Sequence, residues 1–202
     1  MHYDVIIIGG GAGGLSCALT LVSARGRGWE WAENRKYIVL DTGRSDMNRA
    51  LFKNVPGVPQ NTTGKEMLQI LRRQIESFGG AEFSEERAVK IEGEKGNFRV
   101  ITEKGTEYTG KHVVIATGFH RFDIEVEGVK VVDNPYSPKP GRVMIHHDGN
   151  FKIREGLWVV GLLAGAVSMF TAAAGTGVQV AVNILSEWAG KRVVIHDVPP
   201  EE

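Results

Sequence analysis

Apolar positions in this chain form runs and stripes whose period changes several times. Tyr3 to Ile8 (YDVIII) is a nearly continuous apolar run, as expected of a strand buried on both faces of a parallel sheet. Through Leu15, Ala18, Leu19 and Val22 the spacing becomes helical, and Lys36 to Leu40 (KYIVL) returns to a buried strand ending in Asp41. Gly64 to Phe78 places Met67, Leu68, Leu71, Ile75 and Phe78 on one face, which predicts an amphipathic helix. Thr62-Thr63 before it and Gly79-Gly80 after it are boundary signals. RAVKIEG, NFRVITE and TEYTGKHVV then alternate, separated by Glu94-Lys95-Gly96 and Lys104-Gly105, and predict a three-stranded β-meander feeding into VVIATG. Phe119 to Gly156 is irregular and carries Pro135, Pro138 and Pro140. Leu157 to Val160 predicts a further strand and Thr176 to Trp188 a helix. The expected fold class is α/β: a doubly wound, Rossmann-like parallel sheet with the meander as one crossover. Residues 1–202 read as a single domain, with a loop insertion at 26–35 and a short connection at 119–156.

The junction after the first strand carries the most specific chemistry. Gly9-Gly10-Gly11-Ala12-Gly13-Gly14 supplies G-x-G-x-x-G at Gly9, Gly11 and Gly14, between a strand and a helix. Gly9 suits the tight turn, Gly11 lets backbone approach a pyrophosphate, and Gly14 lets helix and strand pack closely. The helix N-terminus then offers free amides and about half a positive charge to the anion. Asp41, closing the second strand, is the candidate partner for an adenosine ribose, with Thr42 beside it. It lies 27 residues past Gly14, beyond the usual spacing of about 20, and the polar insertion GRGWEWAENR accounts for the excess. A carboxylate there repels a 2′-phosphate, so FAD or NAD fits better than NADP; Arg44 weakens that exclusion.

Composition narrows the field. Lys plus Arg and Asp plus Glu are both 24, so no net field favours nucleic acid or an anionic membrane. Cys17 is the sole cysteine, which leaves no C-x-x-C pair or cysteine-rich metal site and suits a cytoplasmic setting. No charge occurs from Leu157 to Ser186, but Gly161, Gly165, Gly175 and Gly177 favour a strand, a turn and a buried helix over a membrane span. His146-His147-Asp148 reads as a surface cluster, because adjacent strand residues point to opposite faces, so no metal is expected. Trp29 and Trp31 fit a cap on the sheet edge better than a docking patch, and Cys17 fits a packed, inert thiol.

Four stretches together resemble the flavin domain of the thioredoxin reductase family of pyridine nucleotide–disulfide oxidoreductases. They are DVIIIGGGAGGLSCAL (Asp4–Leu19), NVPGVP with TGKEML (Asn54–Pro59, Thr63–Leu68), VVIATG (Val113–Gly118) and AAGTGVQVA (Ala173–Ala181). The resemblance implies a single FAD-binding domain with Gly9, Gly10, Gly11, Ala12, Gly13 and Gly14 at the pyrophosphate. It also implies Asn54 near the flavin, Ala116, Thr117 and Gly118 beside the cofactor, and Ala174, Gly175 and Thr176 at a helix N-terminus aimed at the flavin pyrimidine edge. Free amides there would stabilise the negative charge of reduced flavin.

Departures from the family are equally informative. Relatives carry a nicotinamide domain, with a C-x-x-C pair, after the A-T-G strand; here only the 38 residues 119–156 separate the two flavin segments. The family's Gly-Asp after its late strand corresponds to Gly161-Leu162, and its Arg-Gln pair to Ser168-Met169. Its Gly-Gly-Gln after the second strand has no clear match in 41–45. The expectation is an FAD-dependent oxidoreductase that is not itself a dithiol reductase. Its flavin would be reduced by an external donor, NAD(P)H or a partner protein, for a small-molecule or protein acceptor, and the chain is compatible with a homo-oligomer. His120, after the A-T-G turn, is a candidate for proton exchange near neutral pH. The alternative is a non-catalytic FAD- or nucleotide-binding regulatory or assembly module.

Overall fold

The computed structural model describes residues 2–197. Its spine is β1 (His2–Ile8), followed by α1 (Ala12–Val22) and β2 (Tyr37–Leu40). α2 (Gly64–Phe78) leads to β3 (Ala81–Ser84), and β4 (Ala88–Glu92), β5 (Phe98–Thr102) and β6 (Glu107–Ile115) form the meander. β7 (Leu157–Val159) and α3 (Phe170–Ala189) are the last strand and helix among the described residues. Parallel pairing runs β3-β2-β1-β6-β7, with Ile38 opposite Ile6, Val113 opposite Ile6, and Trp158 opposite Val114. β6 is long enough to serve two neighbours on one edge. Its start pairs antiparallel with β5 (Thr109 opposite Arg99), and its end pairs parallel with β7.

Strand alternation splits the core between two faces. Val5, Ile7, Tyr37 and Val39 face Leu15, Ala18 and Leu21 of α1, Met67, Leu71 and Ile75 of α2, and Val180, Ala181 and Ile184 of α3. Ile6, Ile8, Ile38 and Leu40 face the meander and the connection, through Ile91, Phe98, Val100, Ile124 and Ile145. All three helices therefore pack on one face, and each fully buried Ile or Leu contributes about 1.5–3 kcal/mol. α2 occupies the range the apolar stripe predicts. Its capping box is complete, with the Thr63 hydroxyl accepting from the Glu66 amide and the Glu66 carboxylate accepting from the Thr63 amide.

Two elements differ from the sequence reading. β3 was not expected: AEFS is a half-exposed edge strand, and its short polar pattern carries no buried-strand signal. α3 begins at Phe170, six residues before the expected Thr176, because Gly175 lies inside the helix instead of ahead of it. The connection 119–156 contains no helix among the described residues; it holds a hairpin of Val131–Asp133 with Val143–Ile145, and Lys152–Arg154 pairs with β7. The insertion coils into turns in which Trp29 and Trp31 stack at 5.1 Å between centroids and rest half-buried on the helical core. No helix is long and apolar enough to cross a membrane among the described residues.

Candidate cofactor site

A trough of about 800 Å3 opens at the C-terminal ends of β1, β2 and β6, within the range of about 300–1,000 Å3 usual for small-molecule and cofactor sites. Glycines shape its floor. Gly9 has φ of +116°, and a Cβ there would lie 2.3 Å from the Ala116 carbonyl oxygen, so the first βα turn sits directly on the A-T-G turn. A Cβ on Gly14 would lie 2.0 Å from the Gly9 oxygen, which seats α1 on the same turn. Gly11 is different: its Cβ would meet only the Ser45 Oγ, at 3.3 Å, leaving backbone bare toward the trough.

Two helices present their N-termini here. α1 is preceded by Gly11 and α3 by Met169; neither has a side-chain cap, and neither has an acid in its first turn. The first intrahelical acceptances are Leu15 N–H to Gly11 O at 3.0 Å and Ala173 N–H to Met169 O at 3.0 Å. The amides of Ala12 to Gly14 and of Phe170 to Ala172 therefore have no intrahelical acceptor. The helices cross where a Gly177 Cβ would lie 2.0 Å from the Gly13 oxygen, so close approach of α1 and α3 depends on that glycine.

Of the residues expected at the site, Gly9, Gly10, Gly11, Ala12, Gly13, Asp41, Thr42, Ala116, Thr117, Gly118, His120, Gly161 and Leu162 line this trough. Gly14 lies just beneath it. Three expectations at the late helix need correction. Ala174, Gly175 and Thr176 lie in the second turn of α3, and the helix start is instead lined by Ser168, Met169, Phe170 and Ala173. The Thr176 hydroxyl accepts from Gly161 N–H at 2.7 Å and donates to Ala173 O at 2.7 Å, so it fastens β7's end to α3. Asn54 is also displaced: it stands exposed on the loop after the Leu51–Phe52 strand and does not line the trough.

Asp41 has partners that its strand-end position does not reveal. Its Oδ2 is 2.6 Å from an Arg72 guanidinium nitrogen, and its Oδ1 accepts from Gly43 N–H at 3.1 Å. Arg72 comes from α2, 31 residues along the chain, where it lies beside the apolar stripe with no motif to mark it. At the mouth, the His120 Nε2 is 2.8 Å from an Asp46 carboxylate oxygen, tying the loop after β6 to the loop after β2. Both side chains are more than half exposed.

Two further groups, outside the trough, are structural. His147 accepts from Gly149 N–H at Nδ1 (3.1 Å) and sits 3.1 Å from Ala164 O at Nε2, so one ring nitrogen serves its own turn and the other ties that turn to the segment after β7. Cys17 is fully buried, and burial pushes its thiol pKa up, leaving it protonated.

A parallel sheet with a glycine floor, two uncapped helix ends and a strand-end carboxylate defines a Rossmann-type nucleotide-binding protein. Residues 3–189 match the pyridine nucleotide-disulphide oxidoreductase family, and the chain belongs to it. The chain is 35% identical to a thioredoxin reductase of Aquifex aeolicus over 119 residues, 57% of this chain and 34% of that protein. It is 39% identical to a ferredoxin–NADP reductase of Polaromonas sp. over 85 residues, 40% of this chain and 23% of that protein. The chain thus spans about a third or less of these two relatives. A thioredoxin reductase structure from Gloeobacter violaceus shares the fold with a TM-score of 0.76 at 15% identity, covering 98% of this chain and 99% of that one.

Proposed function

We propose that this chain binds FAD in the trough and acts as an oxidoreductase whose flavin is reduced by an external donor. The observation that carries this reading is the convergence of two uncapped, acid-free helix N-termini on one trough. When bound, FAD supplies the electron-transfer chemistry, and the protein binds and orients it. The free amides at Ala12 to Gly14, beside the bare Gly11 backbone, suit the pyrophosphate. Asp41 suits the adenosine ribose, and the amides at Phe170 to Ala172 suit negative charge on the ring system. Leu162 supplies no charged partner, and each such hydrogen bond is worth about 1.5–3 kcal/mol, so FAD is held chiefly by main chain.

The donor we favour is NAD(P)H from solution or a redox protein. The names of the two relatives, a thioredoxin reductase and a ferredoxin–NADP reductase, support that choice of class. Dithiol chemistry within this chain has no support, since Cys17 is its sole cysteine and is buried. His120, held by Asp46 at the mouth, is the side chain placed to act as a general acid or base there. A second reading is a non-catalytic FAD-binding regulatory or assembly module, favoured by Leu162 standing where relatives carry an acid. Anaerobic stopped-flow mixing of the FAD-loaded protein with NADH, NADPH or reduced ferredoxin separates the two. Bleaching of the flavin band supports the oxidoreductase, and a band untouched by all three supports the module.

A further inference from the structure

We propose that Arg72 is a positioning residue for the coenzyme's adenosine half: it fixes the Asp41 carboxylate in the orientation that receives the ribose. This rests on the FAD reading above. The carboxylate is held at both oxygens. A Cβ on Gly10 would fall 2.3 Å from Asp41 Oδ2, so the carboxylate packs directly against the glycine turn. Arg72 holds the same oxygen at 2.6 Å, and Gly43 N–H holds the other at 3.1 Å. The guanidinium is itself braced, its carbon lying 4.7 Å from the centroid of the Phe83 ring on β3. An ionised carboxylate has about four lone-pair positions. Two are taken by Arg72 and Gly43, and two remain, the number a ribose diol needs.

Two consequences follow from one contact. Without Arg72, Asp41 is free to rotate away from the turn, and the ribose meets a disordered acceptor. The fingerprint also gains a requirement at position 10, one of its unspecified places, because only glycine leaves room for the carboxylate.

Titration calorimetry on the full chain stripped of flavin tests this with FAD and with FMN, which lacks the adenosine half. Arg72→Gln should weaken FAD about tenfold, the size of one charge-assisted hydrogen bond, and leave FMN within about twofold. Arg72→Lys, which keeps the charge, should recover part of the loss. Asp41→Asn should weaken FAD by a similar factor, and the double variant should be little worse than either single one, since both act through one group. The proposal is overturned if Arg72→Gln binds FAD as the wild type does, if FAD and FMN weaken together, or if the two substitutions add fully. A thermal midpoint of each variant shows that the comparison is between folded proteins. If the wild type itself takes up no FAD, the coenzyme reading fails and this proposal with it; the outcomes above fail the proposal alone.

Discussion

Replacing Gly177 with alanine tests how the two helix ends are brought together. The new Cβ would lie 2.0 Å from the Gly13 carbonyl oxygen and 2.9 Å from the Cys17 nitrogen, both backbone atoms that no rotamer change can move. Ordinary contact begins at 3.4 Å, so α3 has to back away from α1 by roughly 1.4 Å. Overpacking of this kind costs about 1–3 kcal/mol, and a clash with main chain belongs at the upper end. Alanine's better helix propensity offsets about 1 kcal/mol, leaving a net loss of about 2 kcal/mol. Gly175→Ala is the matched control: it lies in the same helix, two residues earlier, and its Cβ meets nothing within 4 Å. It gains the propensity term alone and should be more stable than the wild type by up to about 1 kcal/mol. Urea unfolding followed by circular dichroism should therefore separate the two variants by about 3 kcal/mol. Calorimetry should find FAD uptake weakened about tenfold in Gly177→Ala, since a shift near 1 Å is enough to misplace a positioned group, and unchanged in Gly175→Ala. Equal stabilities would refute the crossing argument, and loss of FAD in Gly175→Ala would refute the placement of Gly175 outside the trough.

Three further outcomes are expected. His112 is buried beside Trp158 and Trp188, and burial pushes its pKa down to about 4. The unfolded chain, with a histidine near 6.5, takes up that proton first, so the contribution is whole above 6.5 and is lost as pH falls toward 4. The full effect is on the order of 3 kcal/mol, and His112→Phe should flatten this part of the urea-stability profile. Thr63→Ala removes the capping box of α2 and should cost about 1 kcal/mol, lowering the thermal midpoint by about 2–4 °C. His120→Ala should leave FAD uptake within about twofold and slow flavin reduction by about a hundredfold or more; an unchanged rate excludes His120 from the reaction.

Local signals made much of this fold legible. The β1–α1 junction is written within a few neighbouring residues, and α2 carries its cap, stripe and stop in one stretch, so both fall where the sequence places them. β3 was invisible because an edge strand needs no continuous apolar run, and AEFS has none. The start of α3 was misplaced because glycine is a poor helix former. Gly175 interrupts the apolar pattern yet lies inside the helix, and the close approach of Gly177 to Gly13, 164 residues away, leaves no trace in local pattern. The same limit hid Arg72: Asp41 was identifiable as a strand-end acid, but its partner depends on how α2 lies along the sheet. Asn54 was assigned by motif alone, and the loop that carries it turns its side chain toward solvent.

The most direct test of the central claim is the absorption spectrum of the purified protein after loading with excess FAD and gel filtration, with the ligand released on denaturation then identified. A retained flavin band and release of one FAD per chain are the results predicted for two helix ends gripping one coenzyme. A colourless protein, or one that retains FMN as readily as FAD, would contradict it.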